Sequence, residues 1–194
     1  MIIAPIIIAY LLMLLFFIVE RKLRQGQEAK SWETTSADRR STRYVGVAFG
    51  ISLVLILFAP LLNTLHVGQI IWYSSLVSWI GVVIAALGFF LRVWATHVLG
   101  AFYTRTLRTV EKHHVVQTGP YRVVRHPGYL GMVILWIGES LAVQNWIVLV
   151  ILVIVEVSAY VYRIQAEEIL LSQSFGKAYT SYQTKTWKIV PLFY

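Results

Sequence analysis

The sequence predicts an all-α integral membrane protein with about five transmembrane helices, a cytoplasmic C-terminal helical extension and no Rossmann domain. Three observations predict it. Of the 194 residues, 58% are hydrophobic and only 13% charged, where a soluble domain carries about 25% charged residues. The apolar residues are gathered into long runs, which raises the mean hydropathy to +0.68 and marks bilayer-crossing segments rather than general oiliness. The basic residues fall almost wholly between alternate runs, as in a multi-pass protein with one basic side.

The first run is predicted to span residues 2–19. It is expected to be a retained span rather than a cleavable signal peptide, because no basic residues precede the run and the charges Glu20, Arg21, Lys22 and Arg24 follow it. Further spans are expected at 44–65, 70–95, 128–143 and 146–164, each read against a hydrocarbon core of roughly 30 Å. The fourth is the shortest. Gln25–Arg43 reads as a polar, flexible loop. His66-Val67-Gly68-Gln69 and Gln144-Asn145 read as tight turns of antiparallel helical hairpins, with Asn145 an N-cap. Beyond the fifth span, Gly176 suits a helix C-cap. Tyr179 and Tyr182 suggest a second short helix, ended before Pro191.

Charge then orients the chain. Arg21, Lys22, Arg24, Lys30, Arg39, Arg40 and Arg43 occupy the first loop, Arg105, Arg108, Lys112, Arg122 and Arg125 the loop after the third span, and Lys177, Lys185 and Lys188 the tail. Only Arg92 and Arg163, near span ends, complete the set, and neither short turn holds any. Five spans place the three basic segments on one side, so the N-terminus is expected outside and the C-terminus in the cytoplasm. The formal charge of +8 is thereby assigned to anionic lipid rather than nucleic acid. No cysteine is present, which removes disulfides, thiolate metal sites and cysteine nucleophiles.

Polar chemistry concentrates in Gly119–Gly131, GPYRVVRHPGYLG. Pro127 suits the first position of the fourth helix, where a missing N–H costs nothing, and places His126 at its start. The amides there, beside Arg125, would receive a carboxylate or phosphate. A basic turn lying at lipid headgroups accounts for the same residues structurally. On the fifth span, Glu156, Tyr160, Arg163 and Glu167 are spaced four, three and four apart and share one face. An acid near mid-membrane costs roughly 2.5–3.5 kcal/mol on insertion scales, so Glu156 is expected to point inward, as a functional group or in a Glu–Arg pair joining two helices. Glu139 is expected near the outer end of its span, partly solvated. Arg92 is expected to snorkel to headgroups, and Trp72, Tyr73, Trp146 and Trp94 to form aromatic belts. No GxGxxG, P-loop or HExxH pattern occurs, and His113-His114 is a weak metal pair because neighbours point apart.

The order H-x-[LV]-V-x-x-G-P-Y-R-x-x-R-H-P-x-Y-x-G over His113–Gly131, a helical hairpin, and then Arg163, Glu167, Glu168, Leu171, Phe175, Gly176, Tyr179 and Tyr182 resembles the isoprenylcysteine carboxyl methyltransferases. Their wider relatives include membrane phospholipid methyltransferases. The resemblance covers roughly 96–191. It implies an N-terminal part, 1–95, of three spans and a basic loop, and a catalytic region, 96–194. It implies S-adenosylmethionine as cofactor, contacted by His113, His114, Val115, Val116, Tyr121, His126, Pro127, Gly128, Tyr129 and Glu167, with Arg163 as the catalytic or acceptor-side arginine. Glu156, Tyr160 and Glu168 are substrate or structural candidates. His-His-Val-Val stands where the family more often has a leucine before the final valine, and a further cofactor contact within Thr104–Arg108 cannot be aligned. The implied acceptor is lipophilic or lipid-anchored and arrives from the bilayer, with no nucleic acid and no metal involved. A carboxylate on an isoprenylcysteine-like group leads, with phospholipid N-methylation, an NADPH-dependent sterol-reductase-like enzyme and a non-enzymatic small transporter as alternatives.

Overall fold

The computed structural model describes residues 3–23, 39–100 and 115–191. Among the described residues six α-helices run in order: α1 (Ile3–Leu23), α2 (Arg39–Thr64), α3 (Ser74–Leu99), α4 (Pro127–Ala142), α5 (Trp146–Phe175) and α6 (Lys177–Gln183), with a 3₁₀ turn at Gly119–Arg122 before α4. Among the described residues there is no strand, only isolated bridges pairing Gln69 with Asn145 and Val124 with Trp187. Helices α1, α2, α3 and α5 are long and apolar enough to cross a membrane. Their outward residues, such as Leu11, Leu57, Leu87 and Ile154, are exposed hydrophobics that suit lipid. Trp72, Tyr73, Trp94 and Trp146 are exposed too, as the expected aromatic belts require.

Helix α4 is different. Its 16 residues extend only about 24 Å, short of the hydrocarbon thickness, and ten of them are buried. It is the helix around which the others pack. The reason lies in its glycines. A Cβ on Gly138 would overlap the backbone nitrogen of Ala85, and one on Gly131 would come 2.7 Å from the nitrogen of Arg92. Reciprocally, Cβ atoms on Gly81 and Gly88 would collide with the backbones of Ala142 and Leu135. Two seven-residue glycine pairs therefore bring α3 and α4 into backbone contact. In lipid, where apolar burial drives no association between helices, such close packing is what holds them.

A polar clamp closes the bundle at the end opposite the cluster described below. Asn145 caps α5, accepting from the amide of Val148 at 3.0 Å, as the sequence predicts. Its side-chain amide donates to Asn63 and to the carbonyl of Val67, both at 2.8 Å. Asn63 donates in turn to the carbonyl of Val143 at 2.6 Å, and Gln144 donates to Ser74 and Ser78 at 2.7 Å each. Buried amides satisfied this way fix the register of both hairpins. The α2–α3 connection is longer than the four-residue turn expected, because α3 starts at Ser74 rather than 70. His66, Gly68 and Tyr73 all adopt positive φ there, and Ile70 and Trp146 donate across to Gln144 and Gly68.

Two further expectations are corrected. Arg39–Arg43, read as the end of the polar loop, is helical and belongs to α2, five residues ahead of the predicted 44. Glu139 is not solvated: it is wholly buried, and neither carboxylate oxygen takes a hydrogen bond among the described residues.

Candidate active site

At the opposite end, α4 begins against α5, and the residues of both motifs meet. His126 is the N-cap and Pro127 the first residue of α4. One turn on, Tyr129 stacks against the His126 ring at 5.7 Å and against Tyr160 of α5 at 5.0 Å. Its hydroxyl donates to Glu167 Oε2 at 2.7 Å and accepts from Arg163 Nε at 3.3 Å. Arg163 and Glu167 are one helical turn apart on α5, so a single phenol bridges the face predicted from their spacing. Glu167 keeps 26% of its side chain accessible, while Arg163 is buried.

Glu168 sits beside this group and ties it to the tail. Arg125 Nε approaches Glu168 Oε1 at 2.8 Å, His126 Nε2 the same oxygen at 3.3 Å, and Lys188 Nζ the other at 3.6 Å. Burial pushes its carboxyl up, but hydrogen bonds from His126 and Arg125 and the positive charge of both outweigh this and hold it at about 2. Arg125 also donates to the carbonyls of Gln183 and Thr186. The backbone completes the staple: Arg125 and His126 amides donate to the carbonyls of Trp187 and Lys188. Tyr182 donates to the carbonyl of Tyr121 at 2.7 Å, its hydroxyl pushed up to about 12 by burial.

The anion site expected at the α4 start with Arg125 is thereby corrected. Arg125 is committed to Glu168 and the tail, and the amides of Tyr129 and Leu130 both turn back to the carbonyl of His126. The cation beside this helix start is Arg92, whose Nη1 would lie 3.0 Å from a Cβ on Gly128. Arg92 does not snorkel; it pairs at 2.8 Å with buried Glu20 of α1.

Of the remaining predicted residues, Tyr121 is buried, with its hydroxyl 3.4 Å from the carbonyl of Ala95. Pro127 and Gly128 are buried at the start of α4, and Val115 and Val116 are half-buried ahead of the 3₁₀ turn. His113, His114 and Thr104–Arg108 lie outside the described residues. Glu156 does point inward, but it accepts from Ser52 of α2 at 2.6 Å rather than joining an arginine. Sequence reasoning missed Glu20, Ser41 and Thr42. The last two receive Arg163 Nη1 at 2.9 Å each from α2. The one signal for them was the need of a half-membrane arginine for polar partners beyond its own helix.

Bundle and cluster together define a class, the multi-pass membrane proteins described as phospholipid methyltransferases, whose family model matches residues 76–178. A probable protein-S-isoprenylcysteine O-methyltransferase of Oryza sativa subsp. indica is 32% identical over 117 residues, covering 59% of this chain and 61% of the relative. Protein-S-isoprenylcysteine O-methyltransferase B of Arabidopsis thaliana is 30% identical over 133 residues, covering 65% and 68%. Within that class the chain belongs to the isoprenylcysteine carboxyl methyltransferase family. The match thus spans about three fifths of the rice relative's length. A solved eukaryotic intramembrane Ras methyltransferase, an isoprenylcysteine carboxyl methyltransferase, shares the fold with a TM-score of 0.58 at 24% identity, over 79% of this chain and 52% of that one.

Proposed function

We propose that this chain transfers a methyl group from S-adenosylmethionine to the carboxylate of an isoprenylcysteine-like or other lipophilic acceptor at the cytoplasmic membrane face. The observation that carries the reading is the convergence of Arg163 and Glu167 on the hydroxyl of Tyr129 at the start of α4. The donor set fits the cofactor. Glu167 is a partly accessible carboxylate suited to an ammonium group. It stands beside a column of three stacked rings, His126, Tyr129 and Tyr160, and a tyrosine face attracts a cation. When bound, the cofactor supplies an electrophilic methyl group on a positively charged sulfur. Contacts from His113, His114, Val115, Val116, Tyr121, Pro127 and Gly128 belong to the same proposal.

Arg163 would meet the acceptor carboxylate with its permanent positive charge and a charge-assisted hydrogen bond. Such an acceptor is already ionised near neutral pH, so the protein need only position it and exclude water. An amine acceptor would require a group to take a proton. Of the two acids singled out for that, Glu168 is held by Arg125, His126 and Lys188, with its carboxyl at about 2, and Glu156 is buried and accepts from Ser52. This supports a carboxylate over a phospholipid amine.

The cytoplasmic placement rests on charge. The end bearing the cluster carries exposed Arg21, Lys22, Arg39, Arg40 and Arg43, whereas the clamp end has no lysine or arginine among its turn residues 65–73 and 143–145. Calorimetric titration of purified protein tests the cofactor. S-adenosylhomocysteine should bind and NADPH should not, and the reverse result would refute the reading. Because the chain has no cysteine, single cysteines at His66 and Lys185 test the orientation without background. A membrane-impermeant maleimide added to cells should label only the first.

A further inference from the structure

Helix α2 lies outside the stretch that matches the family model, yet it reaches the cluster. In its first turn Arg39, Arg40 and Arg43 are exposed, whereas Ser41 is buried to 1% accessibility. Ser41 Oγ and Thr42 Oγ1 each accept from the same Arg163 nitrogen, Nη1, at 2.9 Å. Tyr129 takes Nε from the α4 side at 3.3 Å. Among the described residues, oxygens from two other helices therefore grip the guanidinium at Nε and Nη1.

The grip has a chemical consequence. An arginine head swings on a long, many-rotamer stem, and its charge and N–H donors meet a carboxylate in a fixed direction only when its plane is set. Ser, Thr and Tyr hydroxyls are neutral acceptors, so these three contacts fix the plane while adding no opposing charge of their own. We infer that Ser41 and Thr42 are positioning residues that act through Arg163 to orient it towards the acceptor, making the start of α2 part of the acceptor side of the site. This rests on the reading above, in which Arg163 meets the acceptor and Glu167 the cofactor.

The test uses the full chain in proteoliposomes, with N-acetyl-S-farnesylcysteine as methyl acceptor and S-adenosylhomocysteine as cofactor-side probe. Ser41→Ala combined with Thr42→Val removes both hydroxyls at nearly unchanged volume. Losing hydrogen bonds to a charged group should raise the acceptor KM by about ten-fold or more, with S-adenosylhomocysteine affinity within about two-fold of the parent. Ser41→Thr, which keeps the hydroxyl and leaves Thr42 in place, should recover most of the loss. An unchanged acceptor KM would overturn the inference. So would a KM that rises in step with weakened S-adenosylhomocysteine binding, which marks mere structural damage. If the parent chain binds S-adenosylhomocysteine but methylates no carboxylate acceptor, the proposed function fails first and takes this inference with it.

Discussion

Tyr129→Phe removes one oxygen and leaves everything else about the site in place. The ring stays in its stack between His126 and Tyr160, 5.7 and 5.0 Å away. The hydroxyl bond to Glu167 at 2.7 Å is lost, along with the long 3.3 Å bond from Arg163. A hydrogen bond to a charged group is worth about 1.5–3 kcal/mol. The Arg163 contact is at the limit of useful length, and Glu167 is 26% accessible, so water replaces part of what the phenol gave. The lower end, about 1.5 kcal/mol, applies, which is roughly a ten-fold loss. That loss should appear as weaker S-adenosylhomocysteine binding in calorimetry, since a carboxylate no longer held at one oxygen must be ordered by the ligand. Affinity unchanged within about two-fold, in a protein that still folds, would refute the claim that Tyr129 organises Glu167 for the cofactor.

Three more outcomes are expected. Gly138→Ala should destabilise by at least about 1–3 kcal/mol through overpacking, because its methyl would strike the Ala85 backbone; Gly46→Ala, with nothing within 4 Å, should be neutral or slightly stabilising in thermal melts. Glu168 has its carboxyl depressed from 4.5 to about 2, so its contribution is complete above 4.5 and fades as pH falls from there towards 2. The melting-temperature gap between the parent and Glu168→Gln should accordingly be widest near neutral pH and shrink below about pH 4; a gap that widens in acid would contradict a stabilising role for the ion pairs of Glu168 with Arg125, His126 and Lys188. Glu139→Leu removes a buried carboxyl without hydrogen-bond partners among the described residues, a defect costing about 1–3 kcal/mol, and should raise the melting temperature rather than lower it.

Much of this architecture is legible in the sequence because it is local. Apolar runs mark the helices, Asn145 announces the cap that α5 uses, and Gly176 ends α5 with its amide on Ser172, as its position suggests. The four-three-four spacing on α5 brings Tyr160, Arg163 and Glu167 to the α4 start. What escapes are partners far apart in the chain. Arg163 and Ser41 are separated by 122 residues, and Arg92 and Glu20 by 72; no periodicity links them. Hydropathy also begins α2 too late, since Arg39–Arg43 is charged yet helical, with Ser41 buried. Glu139 reads as lying at a wet edge because span counting cannot see that most of α4 is buried, Glu139 included. The glycine pairs of α3 and α4 are visible in sequence, but only packing reveals that their spacing makes one interface.

The central claim is methyl transfer to a carboxylate governed by Arg163 and Glu167. It is tested most directly by incubating proteoliposomes of the purified chain with methyl-labelled S-adenosylmethionine and N-acetyl-S-farnesylcysteine, then treating the product with base. Label should be released as methanol, and should be lost in Arg163→Ala and in Glu167→Ala. Base-stable label in phospholipid, or methyl ester formed equally well by both variants, would contradict it.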